Sequence, residues 1–538
     1  MNKITIYVLL ACLWTVSAVQ AQSFGSPAMR KLQMAEFAIS NFYVDKVDED
    51  KLVEEAIIKM LAQLDPRLIL SIGNPHSTYS DAEEVKKMNE PLQGNFEGIG
   101  VQFQMIEDTL LVVQPVSNGP SEKIGILAGD RIIAVNDSAI AGVKMSTEEI
   151  MKRLRGPKGS KVNLKIVRRG VQDPLVFTVK RDKIPILSLD ASYMIQPKTG
   201  YIRINRFGAT TAEEFKKAMK ELQKQGMKDM ILDLQGNGGG YLNAAIDLAN
   251  EFLGQKELIV YTEGRTAKRS DFYAKGNGEF RNGRLIVLVD EYTASASEIV
   301  SGAVQDWDRG IIVGRRSFGK GLVQRPIDLP DGSMIRLTIA RYYTPAGRCI
   351  QKPYDSSTDY NKDLIERFNH GELMNADSIH FPDSLKVQTK KLGRTVYGGG
   401  GIMPDYFVPI DTTLYTDYHR NLVAKGAVIK FTMKFIEGHR KELANKYKKF
   451  ESFNEKFIID DDMLATLREM GEKEGVKFNE EQYQKSLPLI KTQLKALIAR
   501  DLWDMNEYFR VMNTTNESVQ KALEILNSEE YQKKLRAN

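Results

Sequence analysis

The spacing of hydrophobic residues changes several times along the chain, and each change predicts a different kind of element. From Lys31 to Leu64 apolar residues recur at three- and four-residue steps, which predicts two short helices. Between Gly94 and Asp182 the apolar runs are short. They predict strands at 101–105, 110–113, 131–135, 161–167 and 175–179, with helical segments at 121–125 and 146–154. A stretch of this length is an acceptable size for an independent domain.

Strands and helices alternate between Gly200 and Arg348. The predicted strands are 201–204, 229–234, 285–289 and 311–313, and the predicted helices are 211–225, 242–253 and 295–307. Such alternation requires crossover connections, so it predicts an α/β domain with a largely parallel sheet. After Asp411 the chain is predicted to be helical and strongly charged. The apolar residues from Leu487 to Met512 keep a period of about 3.6, which predicts that this tail packs one face on a neighbour.

Length and composition add a size and a broad class. A chain of 538 residues is too long for one ordinary core, so two to four folded units are expected. With 42% hydrophobic and 27% charged residues, the chain is globular and not disordered. Its net charge of +5 is spread along the whole length, so no basic stripe of the kind that binds nucleic acids is present.

The N-terminus predicts export to the periplasm or cell envelope of a bacterium. Met1-Asn2-Lys3 precedes an apolar run from Ile4 to Val19, and Val19-Gln20-Ala21 has the form of a signal-peptide cleavage site. The alternative is a lipobox at residues 9–12, which would leave a lipidated Cys12 and a membrane tether. The residues after Cys12 stay apolar, which favours cleavage after Ala21. Only Cys349 then remains, so neither an internal disulfide nor a thiolate metal site is expected.

Ser295 is a candidate nucleophile because of where it stands. The apolar strand 285–289 leads into a turn of small residues and then into a helix that begins beside Ser295. Free N–H groups and the helix dipole favour developing negative charge at such a position, which suits a reaction that forms an oxyanion. The alternative is structural, because Ser295 and Glu298 also have the spacing of a capping box.

Lys320 is a candidate base for this serine. It stands between Gly319 and Gly321, 25 residues after Ser295, and the strand-like residues that follow put Gln324 on the same face. A desolvated lysine activates a serine once its pKa falls from about 10.4 toward neutrality, and Gln324 could orient the amine. The alternative is a surface lysine in a glycine loop.

A glycine-rich segment follows the predicted strand 229–234. Its glycines, Gly236 and Gly238 to Gly240, lack the Lys-Ser/Thr of a P-loop and the spacing of a dinucleotide fingerprint. A backbone N–H of this turn is therefore interpreted as half of an oxyanion hole, with the N–H of Ala296 as the other half.

Together these residues resemble the C-terminal processing, or tail-specific, serine peptidases. The run 293–298 is similar to the family's nucleophile motif, and the run 318–324 is similar to its base motif. The resemblance implies that Ser295 is the nucleophile, Lys320 the general base and Gln324 its orienting partner. It also implies that Gly239 and Ala296 donate to the oxyanion, and that no metal or cofactor takes part.

A second resemblance is to PDZ domains. The residues Gly98, Ile99, Gly100 and Val101 are similar to the loop that binds a peptide carboxylate, and the run 128–136 is similar to a later PDZ strand. PDZ domains add an extended C-terminus to a sheet edge, so the resemblance implies protein or peptide substrates bound by their C-termini. Arg155 is a candidate link between the bound carboxylate and the peptidase core.

The resemblance extends from about Leu52 to Pro409 and implies a ClpP/crotonase-like peptidase core preceded by a PDZ domain, between helical N- and C-terminal regions. The expected organisation is a signal peptide at 1–21, an N-terminal helical region at 22–92, the PDZ domain at 93–182, the peptidase core at 183–410 and a C-terminal helical region at 411–538. A homo-oligomer is compatible with this organisation. Membrane association requires lipidation of Cys12.

The sequence departs from the family's motifs at two places. Gly238 stands where the family usually has proline, and residues 67–75 interrupt the family's Leu-Asp-Pro-His-Ser-Thr-Tyr motif between Pro66 and His76.

Two other functions remain as alternatives. A non-catalytic peptide-binding protein could use the same fold, although Ser295, Lys320 and Gln324 are all present. A crotonase-type acyl-CoA enzyme would share the alternating core, but the export signal and the PDZ-like region oppose it.

Overall fold

The computed structural model describes residues 26–64, 76–353 and 362–536. The predicted signal peptide, Cys12 and the interruption at 67–75 lie outside the described residues. The chain divides into two compact units. One comprises residues up to Ser80 together with Pro326–Leu337, and the other comprises Asp81–Arg325 and the chain from Thr338 onward.

The first unit contains the two N-terminal helices that the periodicity predicts. They are Pro27–Phe42 and Glu49–Leu61, and they begin at the caps Ser26 and Asp48, whose side chains accept backbone N–H groups of the first turn. The strand Thr78–Ser80 pairs antiparallel with residues 334–336. The helix Pro27–Phe42 buries none of its residues within the described chain.

In the second unit, the predicted β-rich region forms one antiparallel sheet. Its strands, in spatial order, are Val101–Ile106, Thr109–Pro115, Arg131–Val135, Lys161–Val167 and Leu175–Lys180, and Ser138–Ala139 pairs with the third. The helices are Ala82–Gln93, Pro120–Lys123 and Thr147–Leu154. Alternate strand residues such as Leu110, Ile132 and Leu164 are fully buried with Ile150 of the last helix, so this sheet has its own core.

A two-stranded ribbon closes this region. The strand Asn95–Gly98 pairs antiparallel with Asp182–Pro185, so the chain enters and leaves the β-rich region side by side. Val101–Ile106 lies at the edge of the sheet and pairs with one neighbour only among the described strands.

The alternating region forms the predicted largely parallel sheet. Its strands, in spatial order, are Leu189–Gln196, Thr199–Ile204, Asp229–Asp233, Leu285–Val289, Ile311–Gly314 and Tyr406–Phe407. The first pair is antiparallel and all the others are parallel. Parallel strands need crossovers, which here include the helices Thr211–Lys224, Leu242–Asn250 and Ala296–Asp306.

The two faces of this sheet are covered by different parts of the chain. Met230, Leu232 and Val287 pack on one face, in a core shared with the three crossover helices. Ile231 and Ile286, one position along, point to the other face and pack with the helix Glu517–Asn527. Both faces are buried, and therefore Leu285–Val289 is apolar at every position.

Further strands lie beside this layer. Leu258–Glu263 pairs antiparallel with Ser270–Tyr273 and with residues 341–343, which end the strand Met334–Tyr343. The remaining elements up to residue 410 are the strands Leu322–Asp328, Lys386–Gln388 and Thr395–Tyr397, the helix Asp363–Asn369 and the 3₁₀ turns Ala376–Ser378 and Asp383–Leu385.

The C-terminal region is helical, as predicted. Its helices are Asp417–Ala424, Ala427–Lys446, Phe450–Lys456, Asp461–Lys473, Glu480–Leu502, Met505–Met512, Glu517–Asn527 and Glu530–Lys534. Most of them share a core that includes Phe431, Phe453 and Leu494. Among the described residues, no helix combines the length and the apolar character needed to cross a bilayer.

Candidate active site

The glycine-rich segment turns sharply at the end of the strand Asp229–Asp233. Gly239 and Gly240 have φ values of +99° and +149°, a region that favours glycine. A Cβ on Gly239 would lie 2.8 Å from Cβ of Ser295 and 2.9 Å from the backbone N of Ala296. Glycine is therefore required at this position by both conformation and contact, and it brings the turn directly against the candidate nucleophile.

Ser295 is the N-cap of the helix Ala296–Asp306, every residue of which is buried. Its own backbone has φ +58° and ψ −116°, which is rare for a residue with a side chain and persists only where the surroundings hold it. The position is thus both a helix cap and a strained turn at a helix N-terminus. Capping accounts for the spacing of Ser295 and Glu298 but not for the strain.

The candidate base stands in a loop, residues 317–321, which we call the lysine loop. Lys320 is half-buried and lies two residues before the strand Leu322–Asp328, which carries Gln324. The N–H of Phe318 donates to the carbonyl of Thr293 at 2.9 Å, so this loop lies along the turn that precedes Ser295.

Glu298 joins the lysine loop to Ser295. Its carboxylate is fully buried and accepts the N–H groups of Ser295 and Lys320 on one oxygen, at 2.8 and 2.9 Å. The other oxygen accepts the hydroxyl of Ser317 at 2.5 Å and the N–H of Gly319 at 2.7 Å. Burial raises the pKa of Glu298, and these hydrogen bonds oppose the rise.

Tyr342 makes a second connection between the same two residues. Its hydroxyl lies 3.0 Å from the carbonyl oxygen of Ser295 and also contacts the carbonyl oxygen of Lys320. The side chain is 1% exposed. Sequence reasoning noticed Glu298 only through the capping-box spacing and had no signal for Tyr342.

The N–H groups of the two predicted oxyanion donors differ in their hydrogen bonding. Ala296 is the first residue of its helix, where an N–H has no intrahelical acceptor. The N–H of Gly239 donates to Oδ1 of Asn237 at 2.9 Å. Asn237 is fully buried and also ties the glycine turn to its neighbours, since its carbonyl accepts the N–H of Ala294 and the hydroxyl of Ser297. Binding of an oxyanion at Gly239 would replace the Asn237 side-chain oxygen.

A second lysine flanks the site. Lys352 is buried, its amine lies 4.0 Å from the centre of the Phe318 ring, and it pairs with Asp363 at 2.9 Å. Burial lowers the pKa of the Lys352 amine, and Asp363 opposes this effect. Within the described residues, no group of three or more His, Cys, Asp or Glu side chains is arranged to hold a metal ion.

The candidate peptide-binding loop lies at the start of the edge strand of the β-rich region. Gly98, Ile99 and Gly100 are buried, and Val101 begins the edge strand. The carbonyl of Ile99 accepts both the N–H and the hydroxyl of Ser121, at 3.2 and 2.6 Å.

Arg155, the candidate link to the peptidase core, lies beside this loop. Its guanidinium is 4.8 Å from the centre of the Phe96 ring and bonds Glu90 at 2.5 Å. A Cβ on Gly98 would lie 3.7 Å from Cγ of Arg155.

Three family models match this chain. Residues 198–358 match peptidase family S41, and residues 98–183 match the PDZ domain. Residues 418–504 match a family of unknown function, DUF8443.

Similar proteins share these regions. The carboxy-terminal processing protease CtpB of Bacillus subtilis is 35% identical over 338 residues, which cover 62% of this chain and 68% of the relative. The carboxy-terminal-processing protease of Bartonella bacilliformis is 39% identical over 316 residues, which cover 57% of this chain and 69% of the relative. A solved structure of a photosystem II D1 C-terminal processing protease is 30% identical and covers 62% of this chain and 92% of its own, with a TM-score of 0.34.

Proposed function

The chain belongs to the carboxy-terminal processing serine peptidases, and from that premise we propose that it cleaves exported proteins near their C-termini with Ser295 as nucleophile and Lys320 as general base. One observation carries the residue assignment. The single carboxylate oxygen of Glu298 that binds the N–H of Ser295 also binds the N–H of Lys320, so the two residues are neighbours although 25 positions separate them.

The proposed reaction is acyl transfer. Neutral Lys320, oriented by Gln324, takes the hydroxyl proton of Ser295 as the serine oxygen attacks the scissile carbonyl carbon. The N–H groups of Gly239 and Ala296 hold the resulting oxyanion. Lys320 then gives its proton to the leaving amine, which departs as the C–N bond breaks. Water, activated by Lys320, hydrolyses the acyl-enzyme and restores Ser295.

The PDZ region supplies the proposed preference for tails. An extended peptide can add to Val101–Ile106 because that strand is at the edge of its sheet. The loop formed by Gly98, Ile99, Gly100 and Val101 would receive the terminal carboxylate through backbone N–H groups, and the Arg155 side chain lies beside Gly98. We propose a domain organisation of 22–92, 93–182, 183–410 and 411–538 around these functions.

The location is proposed to be the periplasm or cell envelope, after removal of residues 1–21. The intact mass of the mature protein tests this, because cleavage after Ala21 leaves a chain that begins at Gln22. A mass that instead fits a diacylated chain beginning at Cys12 would show the lipoprotein form. Sedimentation of the same sample measures whether it is a homo-oligomer.

Cleavage of a peptide-tagged protein tests the catalytic assignment. Ser295→Ala and Lys320→Ala should each lower kcat by at least about 10³-fold, because nucleophile and base act as one unit. Ser301→Ala is the matched control, since Ser301 is a buried serine of the same helix whose hydroxyl bonds helix carbonyls, that of Ser297 at 2.9 Å and that of Glu298 at 3.5 Å. Wild-type cleavage by Ser295→Ala would contradict the proposal.

The tail preference has its own test. The same substrate with an amidated C-terminus lacks the carboxylate, so its KM should rise while its kcat for the cut itself stays similar. Mass spectrometry of envelope proteins treated with wild type and with Ser295→Ala would then identify natural substrates. Labelling of wild type by a serine-reactive fluorophosphonate would separate the peptidase from a non-catalytic peptide-binding protein.

A further inference from the structure

The backbones of Ser295 and Lys320 are connected at both ends by the same two buried side chains. Glu298 accepts the N–H of each residue, at 2.8 and 2.9 Å. The Tyr342 hydroxyl contacts the carbonyl oxygen of each. The N–H and the carbonyl of each residue are therefore both held. Because the same two side chains hold both residues, the backbone of Ser295 is fixed relative to the backbone of Lys320.

The hydrogen bonds indicate that Glu298 is ionised despite its burial. It receives four donors: three backbone N–H groups and the Ser317 hydroxyl. A carboxylate has enough lone pairs for all four, whereas a protonated acid would direct its own O–H at one of them. An ionised Glu298 thus depends on having all of these partners in place, which makes the connection between helix and loop rigid.

Tyr342 reaches the site from the strand Met334–Tyr343. The N–H of Tyr342 donates to the carbonyl of Gly321 at 2.9 Å, so the strand is itself bonded to the end of the lysine loop. The Tyr342 hydroxyl lies between two carbonyl oxygens and can donate to either one. In both cases its oxygen atom keeps the two carbonyls apart, which fixes their separation.

We propose that Glu298 and Tyr342 are positioning residues that set the distance between the Ser295 hydroxyl and the Lys320 amine. This inference rests on the proposed function. Ser295 starts a helix and Lys320 lies in a loop, so nothing in the covalent chain fixes their separation. Proton transfer requires hydrogen-bond contact between the two groups, and a displacement of about 1 Å can lower a rate by about 10²-fold.

Tyr342→Phe is the mildest test, because it removes one oxygen and leaves the ring. The expected result is a kcat lowered by about 10-fold with KM for the tailed substrate unchanged, since this hydroxyl bonds the backbone of Ser295 and Lys320. Tyr531→Phe is the matched control. The Tyr531 hydroxyl is also buried and also bonds backbone, at Leu285. Leu285 begins the strand Leu285–Val289, whose opposite end leads to Ser295. Tyr531→Phe should keep the wild-type kcat.

Glu298→Gln tests the carboxylate with its shape preserved. Its amide would turn an NH₂ group toward backbone donors, so kcat should fall by about 10²-fold or more while KM is kept. Glu251→Gln is the matched control, because Glu251 is a 1% exposed carboxylate that accepts the N–H of Glu279 away from the site. The double variant with Tyr342→Phe should lose less than the product of the two single losses, since both side chains fix the same separation.

Melting temperatures and kcat together decide the outcome. If Tyr342→Phe and Glu298→Gln lose kcat no more than their controls at equal melting temperature, the positioning role is wrong. If Glu298→Gln does not fold, Tyr342→Phe decides alone. Ser295→Ala distinguishes this failure from a failure of the proposed function: an active Ser295→Ala overturns the catalytic assignment, whereas an inactive one with unaffected positioning variants overturns only the inference.

Discussion

Ser295 is half-buried, and a single methyl group at Gly239 would collide with it. Ser295 keeps a positive φ because its N–H and carbonyl are both bonded to buried side chains. A Cβ on Gly239 would lie 2.8 Å from Cβ of Ser295. Strain of this kind costs about 1–3 kcal/mol and is retained only where several contacts fix it.

Gly239→Ala should therefore abolish cleavage, with kcat lowered by at least about 10²-fold, because the new Cβ would push Ser295 or Ala296 aside. Peptide binding by the PDZ region should stay at the wild-type level. Gly238→Ala is the control, since nothing lies within 4 Å of its Cβ position and its φ is not positive. It should retain activity and gain about 0.4–1 kcal/mol in the free energy of unfolding. Equal activity of the two variants would contradict the proposed geometry.

At this scale the sequence predicted the residue types of the site but not what holds them. Ser295, Lys320 and the glycine turn lie together as their motifs suggested. Tyr342 could not have been predicted, because its hydroxyl meets Ser295 across 47 positions and one tyrosine of a strand resembles another. Glu298 was visible only as a capping residue, since a spacing of three does not reveal a loop that approaches from elsewhere.

Among the elements, the short helix Glu517–Asn527 covers much of one face of the largely parallel sheet. Its buried residues Val519, Ala522 and Ile525 cover strand positions such as Ile231 and Ile286. The periodicity of the chain predicted apolar strands and helices correctly, yet it could not show which helix covers which face, because an apolar stripe fits any complementary surface. The strand Leu189–Gln196 was missed because only Ala191 among its residues is fully buried.

Ile525→Ala should lower the free energy of unfolding by about 2–5 kcal/mol, because the side chain is 0% exposed and its removal leaves a cavity against the sheet. Urea unfolding followed by fluorescence measures the loss. Ile458→Ala, at a position 73% exposed, should change stability by no more than about 0.5 kcal/mol. Similar losses at the two positions would show that the helix does not pack on the sheet.

The start of the helix Met505–Met512 should make stability depend on pH. Burial and the neighbouring Asp504 carboxylate raise the pKa of Glu507 to about 7. Between the ordinary carboxyl pKa, about 4.3, and 7, the folded protein keeps a proton that the unfolded chain has lost, so stability falls as pH rises through this window. Melting temperature should fall from pH 5 to pH 8, and less steeply in Glu507→Gln. Identical slopes would contradict the assignment.

Within the second unit, the PDZ region and the helical region contact each other at Glu437. Glu437, on the helix Ala427–Lys446, pairs with Arg131 at 3.0 Å, and its carbonyl accepts from Arg169 at 3.0 Å. The side chains are partly exposed, so the ion pair is a weak, salt-sensitive link.

A double-mutant cycle of Arg131→Ala and Glu437→Ala should give a coupling free energy of about 0.2–1 kcal/mol at low salt, and less at high salt. Glu442→Ala, exposed on the same helix, should show no coupling to Arg131→Ala. A coupling that salt does not change would mean that the contact is not electrostatic.

The helix Glu517–Asn527 is made long after the sheet strands that it covers. Strands as early as Thr199–Ile204 must wait for a partner that lies more than 300 residues later, at Val519 to Leu526. A chain that lacks this late segment therefore exposes one apolar face of its sheet, beneath the strands that lead into the turns at Gly239 and Ser295.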